Sequence, residues 1–255
     1  MSILKFCSIL LLSLFIISCS SDDGKPNEPI YNITTNQPDE LDLRESGIVT
    51  SVKDQGAYGT CWSFAVNGMI ESMIKREYGE EVDLSEQFLI NSVYEMGPYA
   101  GLELIKTKGI ISEEKLPYKG SKDESYNFTG KCDYKISEFD QIPIGDLTTA
   151  ERLDYIKSLI LEHGPVVTHM TMFRDLDYYK RGVYVYDGKA AAVYGHIILI
   201  VGWKNDSSVK NGGYWIIKNS WGTGWGESGF FRIAYDEAET ALYYVCTAEN
   251  IAKIN

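Results

Sequence analysis

Three side chains of types that support nucleophilic catalysis stand in distinctive local surroundings in this sequence. Cys61 follows a glycine-containing segment, residues 55–60, and precedes a pattern typical of a helix. His196 stands in an apolar run, and Asn219 opens a stretch rich in glycine and tryptophan. A cysteine attacks carbonyl groups as the thiolate, and a neighbouring imidazole can take up its proton and deliver it to a leaving group. This combination of residue types indicates hydrolysis by a cysteine nucleophile.

The residues after Cys61 provide a way to stabilise its thiolate. Apolar residues recur at three- and four-residue spacing over 64–74, with polar Asn67 and Glu71 between them, and Gly79 is a suitable terminator. We therefore predict an amphipathic helix with Cys61 on its first turn. The unpaired N–H groups and the dipole at a helix N-terminus favour an anion, which lowers the pKa of a thiol.

Each of these residues, taken singly, also has an ordinary structural explanation. Cys61 can be a small buried apolar residue, and His196 a core residue with satisfied hydrogen bonds. Asn219 is of a type common in turns, and Gln55 of a type common at solvated surfaces. The four residues occur in one order, each in a matching local string, and this conjunction favours the catalytic interpretation.

The local strings around these residues resemble those of the papain-like cysteine peptidases. The strings are QGAYGTCWSF at 55–64, the Gly-His pair at 195–196 and KNSWGTGWG at 218–226. His196 follows Cys61 within the interval of roughly 130–150 residues that the family shows, and Asn219 lies slightly beyond it. The resemblance extends from about Leu41 to the C-terminal region.

The resemblance implies a cysteine-type endopeptidase that works through an acyl-enzyme. Cys61 and His196 would form a thiolate–imidazolium pair, and Asn219 would orient the imidazole. Gln55 and the backbone N–H of Cys61 would form the oxyanion hole, and Trp221 would shield the histidine–asparagine hydrogen bond from water. The alternatives are an exopeptidase or transpeptidase on the same scaffold, or a surface binding protein with weak catalysis.

The chain departs from the family pattern in the region that would bind substrate on one side of the cysteine. Tyr58 and Ser92 stand where family members usually carry cysteines. The glycine-rich element that follows is reduced to residues 95–98, so Gly97 and Pro98 are the candidates for substrate binding that this element leaves.

Further candidate substrate-binding residues come from the second half of the chain. If the string at 165–169 aligns with the family without a gap, His169 forms a wall of the second specificity subsite. Tyr194 and Gly195 would line the same pocket, and Trp221 would contact substrate as well. An imidazole in that pocket would make selectivity depend on pH. The alternative is that His169 is a structural histidine.

The fold implied by the resemblance is α+β, with two lobes that meet at a cleft. A helical lobe would span about 41–140 and an antiparallel β-sheet or barrel lobe about 141–250, within a peptidase domain at 41–255. Runs rich in aromatic and β-branched residues, bounded by glycines, agree with successive strands in the second half.

The N-terminal residues resemble the export segment of a bacterial lipoprotein. Residues 1–18 combine Lys5 with an apolar run and lead to Cys19, as in a lipobox. We therefore predict a signal peptide at 1–18, lipidation at Cys19 and a polar tether over 19–40. The expected location is extracytoplasmic, anchored to a bacterial outer membrane. The acidic residues at 22–23 are either part of a signal for export to the cell surface or part of a plain polar linker. An ordinary secretory signal with an incidental cysteine is the alternative.

Composition narrows the classes of partner. The net charge is −12, from 36 acidic against 24 basic residues, which argues against binding nucleic acid. The three histidines are scattered without a metal-ligand spacing, so we expect no metal and no cofactor. We expect a monomer that acts on peptides or proteins. Cys132 and Cys246 either form a disulfide or remain unpaired.

Overall fold

The helix predicted after the cysteine is present and lies at the centre of the fold. The structure, a computed structural model, describes residues 33, 34, 36–93 and 96–254. Helix α1 (Cys61–Tyr78) begins at Cys61, and Gly79 caps its C-terminal end. Gly79 has a left-handed φ of 69°, and its N–H donates to the carbonyl of Lys75. The predicted start and terminator are therefore confirmed.

Helix α1 differs from the predicted amphipathic helix because it is buried on nearly every side. Asn67 and Glu71 are 0% and 1% exposed. Asn67 Nδ2 donates to the carbonyl of Leu84 at 3.1 Å, and Glu71 accepts from the N–H of Leu84 at 3.0 Å. Polar partners from another segment thus permit burial of a face that the sequence pattern assigned to solvent.

Among the described residues, three further α-helices follow, each with a recognisable start. Helix α2 (Glu86–Ser92) is capped by Ser85, whose hydroxyl accepts from the N–H of Phe88. Helix α3 (Pro98–Thr107) begins with proline at its first position. Helix α4 (Thr149–His163) begins with a capping box formed by Thr148 and Glu151. None of the helices within the described residues combines the length and apolarity needed to cross a membrane.

Most of the strands join one large sheet. In chain order the strands are β1 (Glu40–Asp42), β2 (Tyr134–Lys135), β3 (Glu138–Pro143), β4 (Val166–Phe173), β5 (Val183–Tyr184), β6 (Ala192–Asn205), β7 (Gly213–Lys218), β8 (Phe230–Ala234), β9 (Tyr244–Glu249) and β10 (Ala252–Lys253). The sheet order is β3-β9-β4-β6-β7-β8-β5, with β1 paired to β6, and β10 pairs separately with β2. Only the β5–β8 pair among these is parallel. The predicted α+β class is confirmed.

Strand β6 carries His196 into the centre of this sheet. It is paired with β4, where His196 lies opposite Met170, and with β7, where Leu199 lies opposite Lys218. Because β6 and β7 are antiparallel, Asn219, which follows β7 directly, returns to the level of His196. The hairpin therefore brings together two residues that lie far apart in sequence.

Segments from both ends of the chain cross between the predicted lobes. Strand β1 belongs to the range of the helical lobe but pairs with β6, while β10 returns to β2. Each pairing gives hydrogen-bond partners to backbone N–H and C=O groups that would otherwise be unpaired at the edge of a sheet. The boundary predicted near residue 140 falls inside β3, and α4 follows it. The residue limits of the two lobes stay a prediction.

The predicted signal peptide at 1–18 and the predicted lipidation site Cys19 lie outside the described residues. Of the predicted tether, the described part packs on the domain instead of extending from it. The N–H of Thr34 donates to Ser158 Oγ at 2.7 Å, and Trp203 Nε1 donates to the carbonyl of Pro38 at 3.1 Å.

Candidate active site

Cys61 lies at the first position of α1 with its thiol toward β6. Its Sγ accepts a hydrogen bond of 3.4 Å from the N–H of Ile197, the residue that follows His196. Burial raises the pKa of the thiol, whereas the backbone N–H groups of Ile197, Trp62 and Cys61 itself act in the opposite direction. The thiol is free, as are the thiols of Cys132 and Cys246, so these two remain unpaired.

His196 is held by Asn219 in one tautomer. His196 Nε2 lies 2.8 Å from Asn219 Oδ1, and the N–H of Ser220 donates to the same oxygen at 2.9 Å. A backbone N–H can only donate, so the atom that both groups contact must be the amide oxygen. Nε2 of His196 therefore carries the proton in the neutral ring. Its Nδ1 then has a free lone pair that can accept a proton from a thiol.

Burial opposes a charge on either member of the cysteine–histidine pair by itself. Burial lowers the pKa of His196 to about 4, with the Asn219 hydrogen bond acting against it and His169 adding a smaller repulsion. A proton moved from Cys61 to His196 would create two opposite charges in the same cleft, and such charges attract each other more strongly near a protein interior than in water. We therefore expect the two residues to titrate as one unit.

Trp221 covers the histidine on its open side. Its ring centroid lies 5.2 Å from that of His196, with the planes tilted by 36°, and Trp225 packs against Trp221 at 4.9 Å. His196 and Asn219 are 1% and 4% exposed. The aromatic cover keeps water from competing for the hydrogen bond between these two side chains.

Gln55 approaches the thiol from the segment before α1. Its Oε1 accepts from Ser220 Oγ at 2.6 Å, and its Nε2 donates to the carbonyl of Tyr58 at 2.6 Å. A carbonyl can only accept, so the orientation of the amide is fixed. One of the two Nε2 hydrogens remains available, which is what an oxyanion hole requires.

One cleft of about 400 Å³ joins these groups. Its lining includes Gln55, Cys61, His196 and Trp221, together with the predicted subsite residues Tyr194 and Gly195. A larger cavity of about 730 Å³, lined in part by Asp83 and Glu113, contains none of the candidate catalytic residues.

Three predicted substrate-binding residues do not line this cleft. Gly97 and Pro98 form the start of α3, where Pro98 is buried. His169 lies behind Gly195, since a Cβ on Gly195 would come within 2.9 Å of His169 Nε2. Burial lowers the pKa of His169. The substrate-binding roles of these residues stay predictions.

Sequence reasoning missed Ser220 and Tyr118. Ser220 bonds to Asn219 through its N–H and to Gln55 through its hydroxyl. Tyr118 Oη donates to the carbonyl of Gln55 at 2.8 Å and lies 2.6 Å from Thr60 Oγ1. The position of Ser220 directly after Asn219 was a usable signal, whereas no local pattern indicates the contacts of Tyr118.

Sequence comparisons place this site among known proteases. A family model described as papain family cysteine protease matches residues 37–251. A cathepsin L-like protein of Caenorhabditis elegans is 35% identical over 210 residues, which are 77% of this chain and 59% of that protein. Ananain of Ananas comosus is 34% identical over 212 residues, which are 78% of this chain and 56% of that protein. The chain thus spans less than two thirds of the length of these relatives.

Solved structures show the same similarity. Digestive procathepsin L 3 of Tenebrio molitor larval midgut superimposes with a TM-score of 0.71 at 26% identity, covering 86% of this chain and 73% of that one. The bromelain protease of Ananas comosus, in complex with the E64 inhibitor, gives a TM-score of 0.69 at 27% identity. That similarity covers 83% of this chain and 98% of the bromelain chain.

Proposed function

Because the chain belongs to the papain family of cysteine proteases, we propose that it hydrolyses internal peptide bonds through an acyl-enzyme. The observation that carries this proposal is a thiol and an imidazole in one cleft, with a buried amide bonded to the imidazole. Cys61 Sγ lies 3.4 Å from the N–H next to His196, and His196 Nε2 lies 2.8 Å from Asn219 Oδ1.

Acylation begins with transfer of the thiol proton to Nδ1 of His196. The thiolate of Cys61 attacks the carbonyl carbon, and the electron pair of the C=O bond moves to the oxygen. The free Nε2 hydrogen of Gln55 and the N–H of Cys61 donate to that oxyanion, where one donor is typically worth about 3–4 kcal/mol. The C–N bond then breaks, and the departing amine takes the proton from His196.

In deacylation water takes the place of the thiol as proton donor, and the sulfur takes the place of the amine as proton acceptor. Nδ1 of His196 accepts a proton from a water molecule, whose oxygen attacks the thioester on Cys61. The C–S bond breaks, the carboxylic acid leaves, and the sulfur regains a proton from the imidazolium. Asn219 keeps Nε2 protonated through both steps, so Nδ1 is the nitrogen that exchanges protons.

The chemistry of the cleft supports an endopeptidase in preference to an exopeptidase. An exopeptidase must recognise the charged end of its substrate, for which an opposite charge beside the scissile bond is a direct means. The described residues that line the cleft include no Asp, Glu, Lys or Arg side chain. A substrate chain that continues through the cleft on both sides needs no such charge.

Inhibitor labelling combined with peptide hydrolysis tests this function. We expect E64, the inhibitor present in the bromelain structure, to label Cys61 and abolish cleavage of fluorogenic peptides blocked at both ends. Cys61→Ala should lower kcat by on the order of 10⁶-fold while the protein stays folded. Equal activity of the wild type and Cys61→Ala would contradict the proposal, as would cleavage restricted to peptides with a free terminus.

The N-terminal residues support a second proposal, on location. Acylation at Cys19 would hold the enzyme on a membrane outside the cytoplasm, where it would act as a monomer on peptides or proteins. The support is the residue pattern at 1–19, which resembles a lipoprotein signal that ends at Cys19. Two or more acyl chains on that cysteine would give stable anchoring. We expect Cys19→Ala to move the protein from the membrane fraction to the soluble fraction and to abolish labelling by radioactive palmitate. Unchanged fractionation and labelling would contradict the anchor, and sedimentation of the released domain as a dimer would contradict the monomer.

A further inference from the structure

The ring of Tyr58 lies directly on the backbone of Gly120. A Cβ built on Gly120 would come within 2.1 Å of Tyr58 Cδ2 and 2.2 Å of Tyr58 Cε2. Gly120 also has a φ of +85°, a conformation that residues with a side chain rarely adopt. Only glycine at position 120 therefore lets the ring reach its place.

Gly120 is a fixed support for the ring. The N–H groups of Gly120 and Lys119 donate to Oε1 of Gln87 at 3.2 and 2.7 Å, and Nε2 of Gln87 donates to the carbonyl of Ser121 at 2.8 Å. Gln87 lies on α2 and is 1% exposed. The position of Gly120 is thus set by a buried side chain of a packed helix.

The backbone of Tyr58 is in turn bonded to the proposed oxyanion donor. The carbonyl of Tyr58 accepts from Nε2 of Gln55 at 2.6 Å and from the N–H of Thr60 at 2.9 Å. Tyr58 is 48% exposed, and within the described part of the chain its hydrogen bonds are those of the backbone, with none from the hydroxyl. Contact of the ring with Gly120 is therefore what holds the side chain.

Other contacts of this segment fix its ends but not its middle. The N–H of Gln55 donates to the carbonyl of Ser220, and the carbonyl of Gln55 accepts from Tyr118 Oη. At the other end, Thr60 Oγ1 lies 2.6 Å from Tyr118 Oη. Between these points the carbonyl of Tyr58 is held by the N–H of Thr60 and by the contact of its own ring with Gly120.

We propose that Tyr58 is a positioning residue for the oxyanion hole, acting through the contact of its ring with Gly120. A side-chain amide is planar, so two hydrogen bonds, one to Ser220 Oγ and one to the Tyr58 carbonyl, fix its plane. The remaining Nε2–H of Gln55 then points in a single direction. Without the Tyr58 carbonyl in place, the amide rotates about its terminal bond, whose torsional preference is weak. This inference rests on the proposed function.

A double-mutant cycle tests the coupling between Tyr58 and Gln55. We expect Tyr58→Ala to lower kcat by about tenfold to a hundredfold with little change in KM. Gln55→Ala should lower kcat by about 10²–10³. Tyr58→Ala should add no further loss in the Gln55→Ala background, because its effect passes through the missing amide. Tyr58→Phe should restore most of the activity, since the hydroxyl has no partner.

Gly120→Ala and the reactivity of the thiol complete the test. The added methyl group displaces the ring, so Gly120→Ala should resemble Tyr58→Ala and add nothing to it. Alkylation of Cys61 by iodoacetamide needs the thiolate but no oxyanion hole, so its rate should stay within about twofold in every one of these variants. An equal loss of alkylation, or a full additional effect of Tyr58→Ala in Gln55→Ala, would overturn the proposal.

A measurement without turnover separates this inference from the proposed function. In a Cys61→Ala protein, the side-chain N–H signals of Gln55 should lose protection from hydrogen exchange on Tyr58→Ala but keep it on Tyr58→Phe. Unchanged protection in Tyr58→Ala would overturn the positioning role. If Tyr58→Ala removes the protection of the Gln55 side chain but the wild type cleaves no peptide, the positioning role of Tyr58 stands and the proposed peptidase function is contradicted.

Discussion

Two polar networks are built on α1, and they differ in how fully their atoms are bonded. Around Cys61, the thiol, Nδ1 of His196 and one Nε2 hydrogen of Gln55 are the atoms that the hydrogen bonds described above leave available. In the middle of the helix, Lys53 Nζ meets Glu71 at 2.8 Å and Glu86 at 2.9 Å. It also donates to the carbonyl of Leu84 at 3.0 Å.

The second network connects several elements of the fold. Thr50 Oγ1 donates to Glu71 at 2.7 Å and accepts from Lys218 Nζ at 3.0 Å, which links β7 to α1. Burial and the repulsion of Glu71 raise the pKa of Glu86 to about 8, although the attraction of Lys53 acts in the opposite direction. Ion pairs and hydrogen bonds that span several elements hold those elements together, whereas spare donors and acceptors beside a cleft can engage a substrate.

Removing the central cation should break the second network with the largest effect on stability. Lys53→Met removes the cation that Glu71 and Glu86 share and leaves Glu71 with neutral donors, Thr50 Oγ1 and the N–H of Leu84, so the free energy of unfolding should fall by about 3–5 kcal/mol. Urea denaturation measures this change. Lys106→Met, which removes an exposed pair with Glu138, is the matched control and should have little effect. Similar losses in the two variants would contradict the contrast between the networks.

Acid should destabilise the fold at the first network. At low pH the cysteine–histidine pair must bind a second proton, which leaves a thiol beside a buried imidazolium. The pKa of His196 is lowered from 6.5 to about 4 by burial. Between pH 4 and pH 6.5 the unfolded chain binds more protons at this histidine than the folded chain does. The contribution of neutral His196 to stability is therefore complete above pH 6.5 and is lost as the pH falls toward 4. The loss is roughly 3–4 kcal/mol at ~1.4 kcal/mol per pKa unit.

Unfolding free energies of the wild type and His196→Gln, measured across this range, isolate that contribution. The difference between the two proteins should shrink as the solution becomes more acidic. A difference that stays constant would show that His196 takes up its proton equally well in the folded and unfolded chains.

The smallest predicted effect sharpens the comparison at the edge of the first network. Ser220→Ala removes the bond to Gln55 Oε1 but keeps the backbone bond to Asn219, so kcat should fall by up to about tenfold. Steady-state kinetics on one peptide give the value. Ser72→Ala, which removes a buried hydroxyl bonded to Gly68 within α1, is the control and should leave kcat unchanged. Equal kinetic effects would contradict a specific link between Ser220 and Gln55.

Local sequence patterns predicted the elements that position the site. The apolar spacing after Cys61 and the terminator Gly79 predicted α1, and the family resemblance of the strings around His196 and Asn219 implied that these residues meet. Such features succeed because they depend on neighbours within a few residues. The strand bearing His196 needs only its apolar run to enter the sheet.

Contacts between distant segments lay beyond sequence reasoning. Burial of Glu71 depends on Lys53, which lies on a different segment, so the helical pattern alone placed Glu71 toward solvent. The contact of Tyr58 with Gly120 has no local signal either, because a glycine in a loop has many uses. Periodicity reports which side of an element is apolar, but not which polar side chains find buried partners.

The pH dependence of Cys61 alkylation tests the central claim most directly. In the wild type, iodoacetamide should modify Cys61 rapidly at neutral and mildly acidic pH, with the rate falling only as the pair binds its second proton near pH 4. In His196→Ala, where burial raises the pKa of the thiol, rapid modification should require pH values above about 8.5. A wild-type profile that coincides with that of His196→Ala would contradict the account, because no proton would then be shared between the two side chains.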